Sequence, residues 1–480
     1  MSEQDERHPD DVQQHLREVQ ELLARHKVVE DLVHRQDMPR HQLVENLVHK
    51  QHVAELQGKL DALHPADIAY VLEALPLESR LFVWDLVKAE RDGDILLEVS
   101  DAVRESLIET MDPHELKAAA ETLDADELAD LAPDLPPEVM LDVFQSLDSE
   151  EREQLRAAMS FPEESVGALM DFDMVTVRED VTLEVVLRYL RRFEELPDHT
   201  DKLFVIDRED HLKGILTLES LLINDPEMVV GEVMHKENVI SFEPEDEADD
   251  AAQAFERYDL VSAPVVDAEK RVVGRLTVAD VVDYIREESE HEILSQAGLR
   301  EEEDIFASVW DSVRNRWAWL AINLVTAFIA SRVIGAFEGS IEKLVALAAL
   351  MPIVAGIGGN SGNQTITMIV RAIAMGQVEP SAMQRLMRKE MGVAVVNGLV
   401  WGGLLGVLAW ALYGSASLGM VMTAAMTLNL LLASCAGVLI PMVRLRVGAD
   451  PALGSSVLIT ALTDSGGFFI FLGLATLFLL

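Results

Sequence analysis

The sequence predicts a multidomain protein: an α and α/β cytoplasmic region, built from a helical superhelix and a tandem α/β repeat, followed by an α-helical transmembrane domain of five helices. Three observations carry this. Charged and apolar residues are segregated along the 480 residues: positions 1–309 hold 77 of the 84 acidic and 29 of the 39 basic residues, a net charge of −48, whereas positions 310–480 carry +3. Five apolar segments follow Trp317, each near the twenty residues that a hydrocarbon core of about 30 Å requires. Between the two regimes, two stretches of the acidic half read as copies of each other.

Residues 1–54 form a polar extension with helical pattern, in which VEDLVHRQ at 29–36 is echoed by VENLVHKQ at 44–51. Its seven histidines recur without ligand spacing, so a solvated amphipathic hairpin is favoured over a metal site. No apolar signal-peptide core opens the chain, which places the acidic half in the cytoplasm. The lone cysteine, Cys435, lies in an apolar run and excludes an intrachain disulfide framework. A surface this acidic repels nucleic acid and attracts cations.

Residues 55–165 lack strand signals. Leucines recur at helical spacing between LHPAD at 63, MDPHE at 111, LDADE at 123 and LPPEV at 135, where Asp or Pro starts each new helix. The pattern predicts a superhelix of short helices. Two α/β units follow, at 166–226 and 227–286. LMDFDMVTV matches VMHKENVIS, and LFVIDREDHLKGILTLES matches APVVDAEKRVVGRLTVAD, with Asp207 and Gly214 in register with Asp267 and Gly274. An acidic connecting helix is expected at 287–314.

The transmembrane domain, 315–480, has predicted spans at 317–337, 344–370, 391–413, 418–443 and 453–480. Arg371, Arg385, Arg388 and Lys389 lie between the second and third spans, Arg444 and Arg446 between the fourth and fifth, and Arg314 and Arg316 before the first. The positive-inside rule then puts the N-terminus in the cytoplasm and the C-terminus outside.

Two features of the spans point to chemistry. GIGGNSGNQ, residues 356–364, sits in the second span, and glycine-rich or irregular backbone at membrane depth is tolerated where it lines a cavity. Helix packing through Gly358 and Gly362 explains the glycines equally well but leaves Asn360, Asn363 and Gln364 without a role. Asp464, in ITALTDSGGFF, is the one acid within the last four predicted spans, and a carboxylate at a helix centre costs about 2.5 to 3.5 kcal/mol on insertion scales. A carboxylate among amides and carbonyls, with Thr460 one turn earlier and neither His nor Cys nearby, suits a hard cation such as hydrated Mg2+. No Walker, GxSxG or metalloprotease pattern is present, so transport leads and an enzyme has no support.

Together, PIVAGIGGNSGNQTITMIVRAIAMG, the TDSGGFF of the last span and the order of domains resemble the MgtE family of magnesium channels, from about residue 55 onward. The resemblance implies tandem CBS domains at 166–286 and a homodimer in the inner membrane with its pore on the twofold axis. Asp464 would hold the hydrated ion, with the backbone carbonyls of Gly358 and Thr460 at the other filter positions and Asn360 and Asn363 beside them. It also implies closure by cytoplasmic Mg2+ bound at Glu247, Asp249, Asp259, Asp280, Asp283, Glu288 and Glu292, with His291 standing where the pattern has an acid. GRLTVAD places Thr277 and Asp280 at a spacing that resembles ribose binding, so ATP is a candidate ligand of the CBS pair; the alternative is a hydrogen-bonded strand end. Two other functions remain: a CBS-regulated carrier of Co2+ or Mn2+, and a membrane-anchored adenine-nucleotide sensor that transports nothing.

Overall fold

The computed structural model describes residues 9–480 except 35–52, 163, 194–195, 300–303, 375–382, 448–450 and 452–453. The chain divides into two compact units, Met1–Ser289 with Asp304–Phe306, and Glu290–Glu303 with Ala307–Leu480.

The first unit opens with α1 (Pro9–His34). The second arm of the expected hairpin, VENLVHKQ, lies outside the described residues. The superhelix runs through α2 (53–60), α3 (Pro65–Glu73), α4 (Leu77–Trp84), α5 (Asp92–Glu98), α6 (Asp101–Ile108), α7 (Pro113–Ala120), α8 (Ala125–Leu131), α9 (Pro137–Ser146) and α10 (Ser149–Ala158). The local signals start these helices as expected. Asp112 and Asp148 cap α7 and α10 in reciprocal boxes with Glu115 and Glu151, and Pro65, Pro113 and Pro137 occupy first-turn positions whose N–H would be unpaired anyway. One face of each short helix enters a shared core of Leu60, Leu72, Ile95, Leu107, Leu128 and Val143. Arg80, fully buried, ties this core together through the carbonyls of Leu72 and Leu75 and a 2.7 Å ion pair with Asp304.

Next comes the pair of α/β repeats. β1 (Thr176–Arg178), α11 (Leu183–Leu190), β2 (Lys202–Ile206), β3 (Leu212–Thr217) and α12 (Leu218–Ile223) form the first. α13 (Val230–Val233) leads to α14 (Ala248–Tyr258), β4 (Ser262–Val266), β5 (Val272–Thr277) and α15 (Val278–Ala297). The hairpins are congruent: Val205 pairs Gly214 and Val265 pairs Gly274, each followed by a bulge. Asp207 and Asp267 both cap the turn by accepting backbone N–H groups two and four residues on, which explains why the repeat keeps them.

The leading segments of the repeats are exchanged. Ile215 of the first hairpin bridges His235, and Arg275 of the second bridges Asp171. Val166 and Met170 accordingly enter the core of Phe242, Phe255, Val265 and Leu276, while Val230 and Met234 enter that of Val177, Leu203 and Leu216. Gly214 and Gly274 admit the exchanged strands, since a Cβ at either would meet His235 O or Asp171 O at 2.5 and 3.0 Å. A buried ion pair fixes the second crossing, Arg275 Nη2 to Asp171 Oδ2 at 2.7 Å, with Arg275 only 5% exposed. Asp171→Ala leaves that guanidinium buried without its counter-charge, a loss of about 3 to 5 kcal/mol. The thermal midpoint of the cytoplasmic unit is expected to fall on the order of 10 °C, read by differential scanning fluorimetry.

The expected connector 287–314 is divided between the two units; its described residues include the end of α15, a left-handed turn at Gly298 and the first turn of α16 (Val309–Ala336). Gly298 has φ +75° and lies against the Trp319 ring, so no side chain fits there. α17 (Glu338–Lys343), α18 (Ala346–Ala374), α19 (Met383–Tyr413), α20 (Ala416–Val447) and α21 (Ser455–Leu479) complete the second unit. Among the described residues, four helices, α16, α19, α20 and α21, are long and apolar enough to cross a membrane. α18, the second expected span, has 29 residues with GGNSGNQ at its centre and is not one of these four. α19 and α20 pack closely where Gly398, Gly402 and Gly406 meet Thr427, Met426, Thr423 and Gly419, the small-residue interface expected between membrane helices.

Candidate ion path and cytoplasmic acidic groove

α18 runs as a continuous helix through GIGGNSGNQ, which corrects the expectation of irregular backbone there. The packing reading of the motif is realised on one face of the helix, and the amides lie on another. Gly358, Gly359 and Gly362 form the packing face: a Cβ on Gly362 would collide with Ile459 and one on Gly359 would lie 3.5 Å from Thr463 Oγ1, while Gly358 abuts Asn429. α18 and α21 are thus antiparallel, and glycine lets their backbones approach. Asn360, Gln364, Thr367 and Arg371 lie at i, i+4, i+7 and i+11 and form an exposed polar stripe. Asn363 lies beside that stripe, its Oδ1 buried and without a hydrogen-bond partner.

α21 carries a matching stripe at i, i+4 and i+8. Ser456 and Asp464 are half-buried and Thr460 is exposed, its Oγ1 donating to the Ser456 carbonyl at 2.9 Å. No described residue gives Asp464 a hydrogen bond or a counter-charge. Gly466 and Gly467 do not open the backbone for a ligand: a Cβ on Gly466 would strike Leu432, and one on Gly467 would strike Asn429. Gly358 is likewise buried at a helix junction, away from the exposed stripe.

Two polar residues of this unit escaped the sequence reading. Glu390 is 5% exposed in α19, beside Thr365 Oγ1 at 3.4 Å and Lys389 Nζ at 3.4 Å. It falls one residue before the expected third span, and only the helix's earlier start at Met383 brings it in. Asn429, fully buried in α20, had no motif around it.

In the cytoplasmic unit, acids expected to sense cations are spread over two places. Glu247 and Asp249 sit exposed at the start of α14, where Tyr284 Oη donates to Asp249 at 3.4 Å, and Asp259 caps the other end in a left-handed conformation. Asp280, Asp283 and Glu288 lie on α15; the side chain of Glu292 is outside the described residues. Asp280 Oδ2 accepts the Thr277 N–H at 2.8 Å, a hydrogen bond that caps the strand end.

Residues that sequence reasoning did not single out complete an acidic groove on the superhelix side. Asp126 of α8 is pushed up to about 8, first by burial and then by neighbouring Asp171. Burial also raises Asp124, Glu127, Asp171 and Asp280, and Asp130 stands within electrostatic reach of Glu287 and Asp280. Asp92, 8% exposed, is pushed up to about 7 by burial and by Glu115. Holding these carboxylates close together costs stability wherever they are ionised, and a divalent cation between them would offset that cost.

The pH dependence follows. The assembled unit holds protons on Asp92 and Asp126 that the unfolded chain releases near pH 4, so without divalent cations its stability falls as pH rises through 7 and 8. Its thermal midpoint in chelator is expected to drop between pH 6 and 8.5, and saturating Mg2+ to remove most of that drop. A midpoint that climbs over this range in chelator contradicts the arrangement.

A third acidic cluster, Asp207, Glu209 and His211, has potential ligand atoms within 4.8 Å of one another. Asp207 is already engaged by Lys213 at 2.8 Å and by two backbone N–H groups, which hold its carboxyl well below the usual range. This cluster is a turn cap.

Comparison with known proteins accounts for nearly the whole chain. Residues 351–474 match the MgtE divalent cation transporter model, 63–164 the MgtE intracellular N domain, and 166–225 and 230–287 the CBS domain. The chain is 32% identical to the magnesium transporter MgtE of Thermus thermophilus over 88% of its own length and 95% of the relative's. The chain belongs to the MgtE family. A second MgtE, from Bacillus subtilis, is 25% identical over 89% of this chain and 94% of its own. Among solved structures, the cytosolic domain of the Mg2+ channel MgtE in complex with ATP matches half of the chain at 30% identity, with a TM-score of 0.45. This MgtE chain is therefore a membrane transport protein with CBS domains and is not an enzyme.

Proposed function

We propose that the protein is a homodimeric channel of the inner membrane that admits Mg2+ to the cytoplasm and closes when Mg2+ binds its acidic cytoplasmic domains. Asp464 carries the reading. It is a carboxylate at the centre of an apolar helix with no described partner, and an acid so placed needs a cation, a pore or a second chain. Across a twofold axis, two Asp464 carboxylates facing one hydrated Mg2+ satisfy each other's charge, and Mg2+ keeps much of its water at sites with one or two carboxylates. Thr460 and Asn360 supply hydroxyl and amide oxygens for that water shell, with the Thr460 carbonyl as a further position; Gly358, buried against Asn429, and the buried oxygen of Asn363 do not reach it. α18, second in chain order, also spans the membrane in this reading and brings the number of spans to five. Its exposed Asn360–Gln364–Thr367 stripe faces the ion path, which removes the cost of amides in lipid. The basic ends of α18, α19 and α20 face the cytoplasm, and the C-terminus lies outside.

Closure uses the acidic groove. Ions between Asp126, Asp130 and their neighbours on the superhelix domain, 55–165, and Asp280 and Asp283 on the second CBS domain, 227–286, with Glu288 at the start of the connector, favour the assembled form. They thereby bias the connector at 287–314 that leads to the first span. Glu247, Asp249, Asp259 and Glu292 extend the sensor, and Thr277 with Asp280 is the place for the ribose of ATP. The test is Mg2+ flux into proteoliposomes at fixed external Mg2+, with Mg2+ varied on the side of the acidic domain. Flux that falls as that Mg2+ rises supports pore and sensor together. Uptake of Co2+ or Mn2+ in preference to Mg2+ replaces the Mg2+ channel with a carrier of those ions, and absence of flux at every concentration leaves the anchored sensor.

A further inference from the structure

Asn429 lies midway along α20 and is fully buried. Its Nδ2 donates to the Val354 carbonyl of α18 at 2.9 Å, while its Oδ1, equally buried, has no partner among the described residues. The same amide separates two glycines. A Cβ on Gly358 would overlap Nδ2, and one on Gly467 would lie 2.7 Å from Nδ2 and 3.1 Å from Oδ1. One side chain of α20 therefore sets the gap between α18 and α21, two residues from Asn360 on one helix and one turn from Asp464 on the other. Packing alone does not account for an amide here. Leucine has a similar volume and fills such a gap with no polar atom to leave unsatisfied, whereas a buried unpaired amide oxygen is costly.

We infer that Asn429 is a positioning residue of the permeation path, one that fixes the backbone of α18 against the turn of α21 bearing Asp464. The inference rests on the pore reading above. In a regular helix the Val354 carbonyl accepts the N–H of Gly358, four residues on. A second donor at that carbonyl draws it toward α20, so the backbone around Gly358 is held by a side chain as well as by the helix ladder. Separation of the two helices then sets the distance between the α18 amides and the Asp464 carboxylate, on which discrimination between a small hydrated ion and a larger one depends. Asn429 acts on ion choice through Gly358, Gly467 and Val354, and touches no ion itself.

The experiment compares Mg2+ and Ca2+ flux in proteoliposomes containing full-length wild type, Asn429→Leu, Gly467→Ala, Gly467→Ala/Asn429→Ala and Asp464→Ala. For folded Asn429→Leu the Mg2+ to Ca2+ flux ratio is expected to fall about tenfold, with a higher half-saturating Mg2+. Gly467→Ala loses flux because its methyl meets the amide, and adding Asn429→Ala restores part of that flux without restoring the ratio. Wild-type rate and ratio in Asn429→Leu overturn the inference. If Asn429→Leu does not fold, failure of Asn429→Ala to restore any flux to Gly467→Ala overturns it instead. Asp464→Ala separates the two readings: flux retained there removes the pore assignment, whereas flux lost there with Asn429→Leu unaltered removes only the role of Asn429.

Discussion

Asp464→Ala is expected to lower Mg2+ flux by at least a hundredfold while the protein still inserts and assembles. The reasoning is electrostatic. In the proposed dimer two carboxylates across a twofold axis would supply the fixed negative charge of the path, and losing a stabilisation of even about 3 kcal/mol at the ion's narrowest position corresponds to roughly that factor in rate. Removing an unpartnered acid from the centre of α21 also relieves an insertion cost, so the variant should be no less abundant in the membrane. Asp464→Asn keeps the shape and loses the charge, and it is expected to behave like the alanine variant. Flux in proteoliposomes, normalised to reconstituted protein, decides it. Wild-type flux in either variant sinks the assignment of the path.

Asp126→Asn/Asp130→Asn/Asp280→Asn is expected to abolish closure at high cytoplasmic Mg2+. Asn preserves volume, and at position 280 its oxygen can still accept the Thr277 N–H, so the strand end stays capped. Amide oxygens are weak Mg2+ ligands, so bridging is lost. Repulsion remains, because Asp94, Asp124, Glu127, Asp171 and Glu287 still share the groove. Flux should therefore stay near its maximum as Mg2+ rises, with the inhibition midpoint moved up at least tenfold. The stabilising effect of Mg2+ on the thermal midpoint should shrink in parallel. Unchanged inhibition in this variant places the sensor elsewhere, among the remaining acids Glu247, Asp249, Asp259, Asp283, Glu288 and Glu292.

Much of this was legible in residues 55–480. Helix starts at Pro65, Pro113, Ala125 and Pro137 follow from caps that act within four residues, and the register of Gly214 with Gly274 survives as identical hairpin pairing. Asp464 was legible because one charge in an apolar run is conspicuous. The same logic missed Glu390, since a shift of a few residues in a helix start moves a side chain from loop to membrane. Three things had no local signal. The repeats exchange their leading segments through Asp171 and His235, Asp126 meets Asp171 forty-five positions away, and Asn429 reaches Val354 across seventy-five.

The sequence by itself determined the order of domains, the helix caps, the membrane character of the second unit and the presence of an acid at its centre, because composition, period and capping act over a few residues. Tertiary structure alone decided which glycines of GIGGNSGNQ pack and which amides stay exposed, which acids form the groove, and what a lone buried asparagine holds. Those outcomes depend on which side chain arrives from a distant helix, and whether a polar atom is satisfied, crowded or exposed is a property of that encounter.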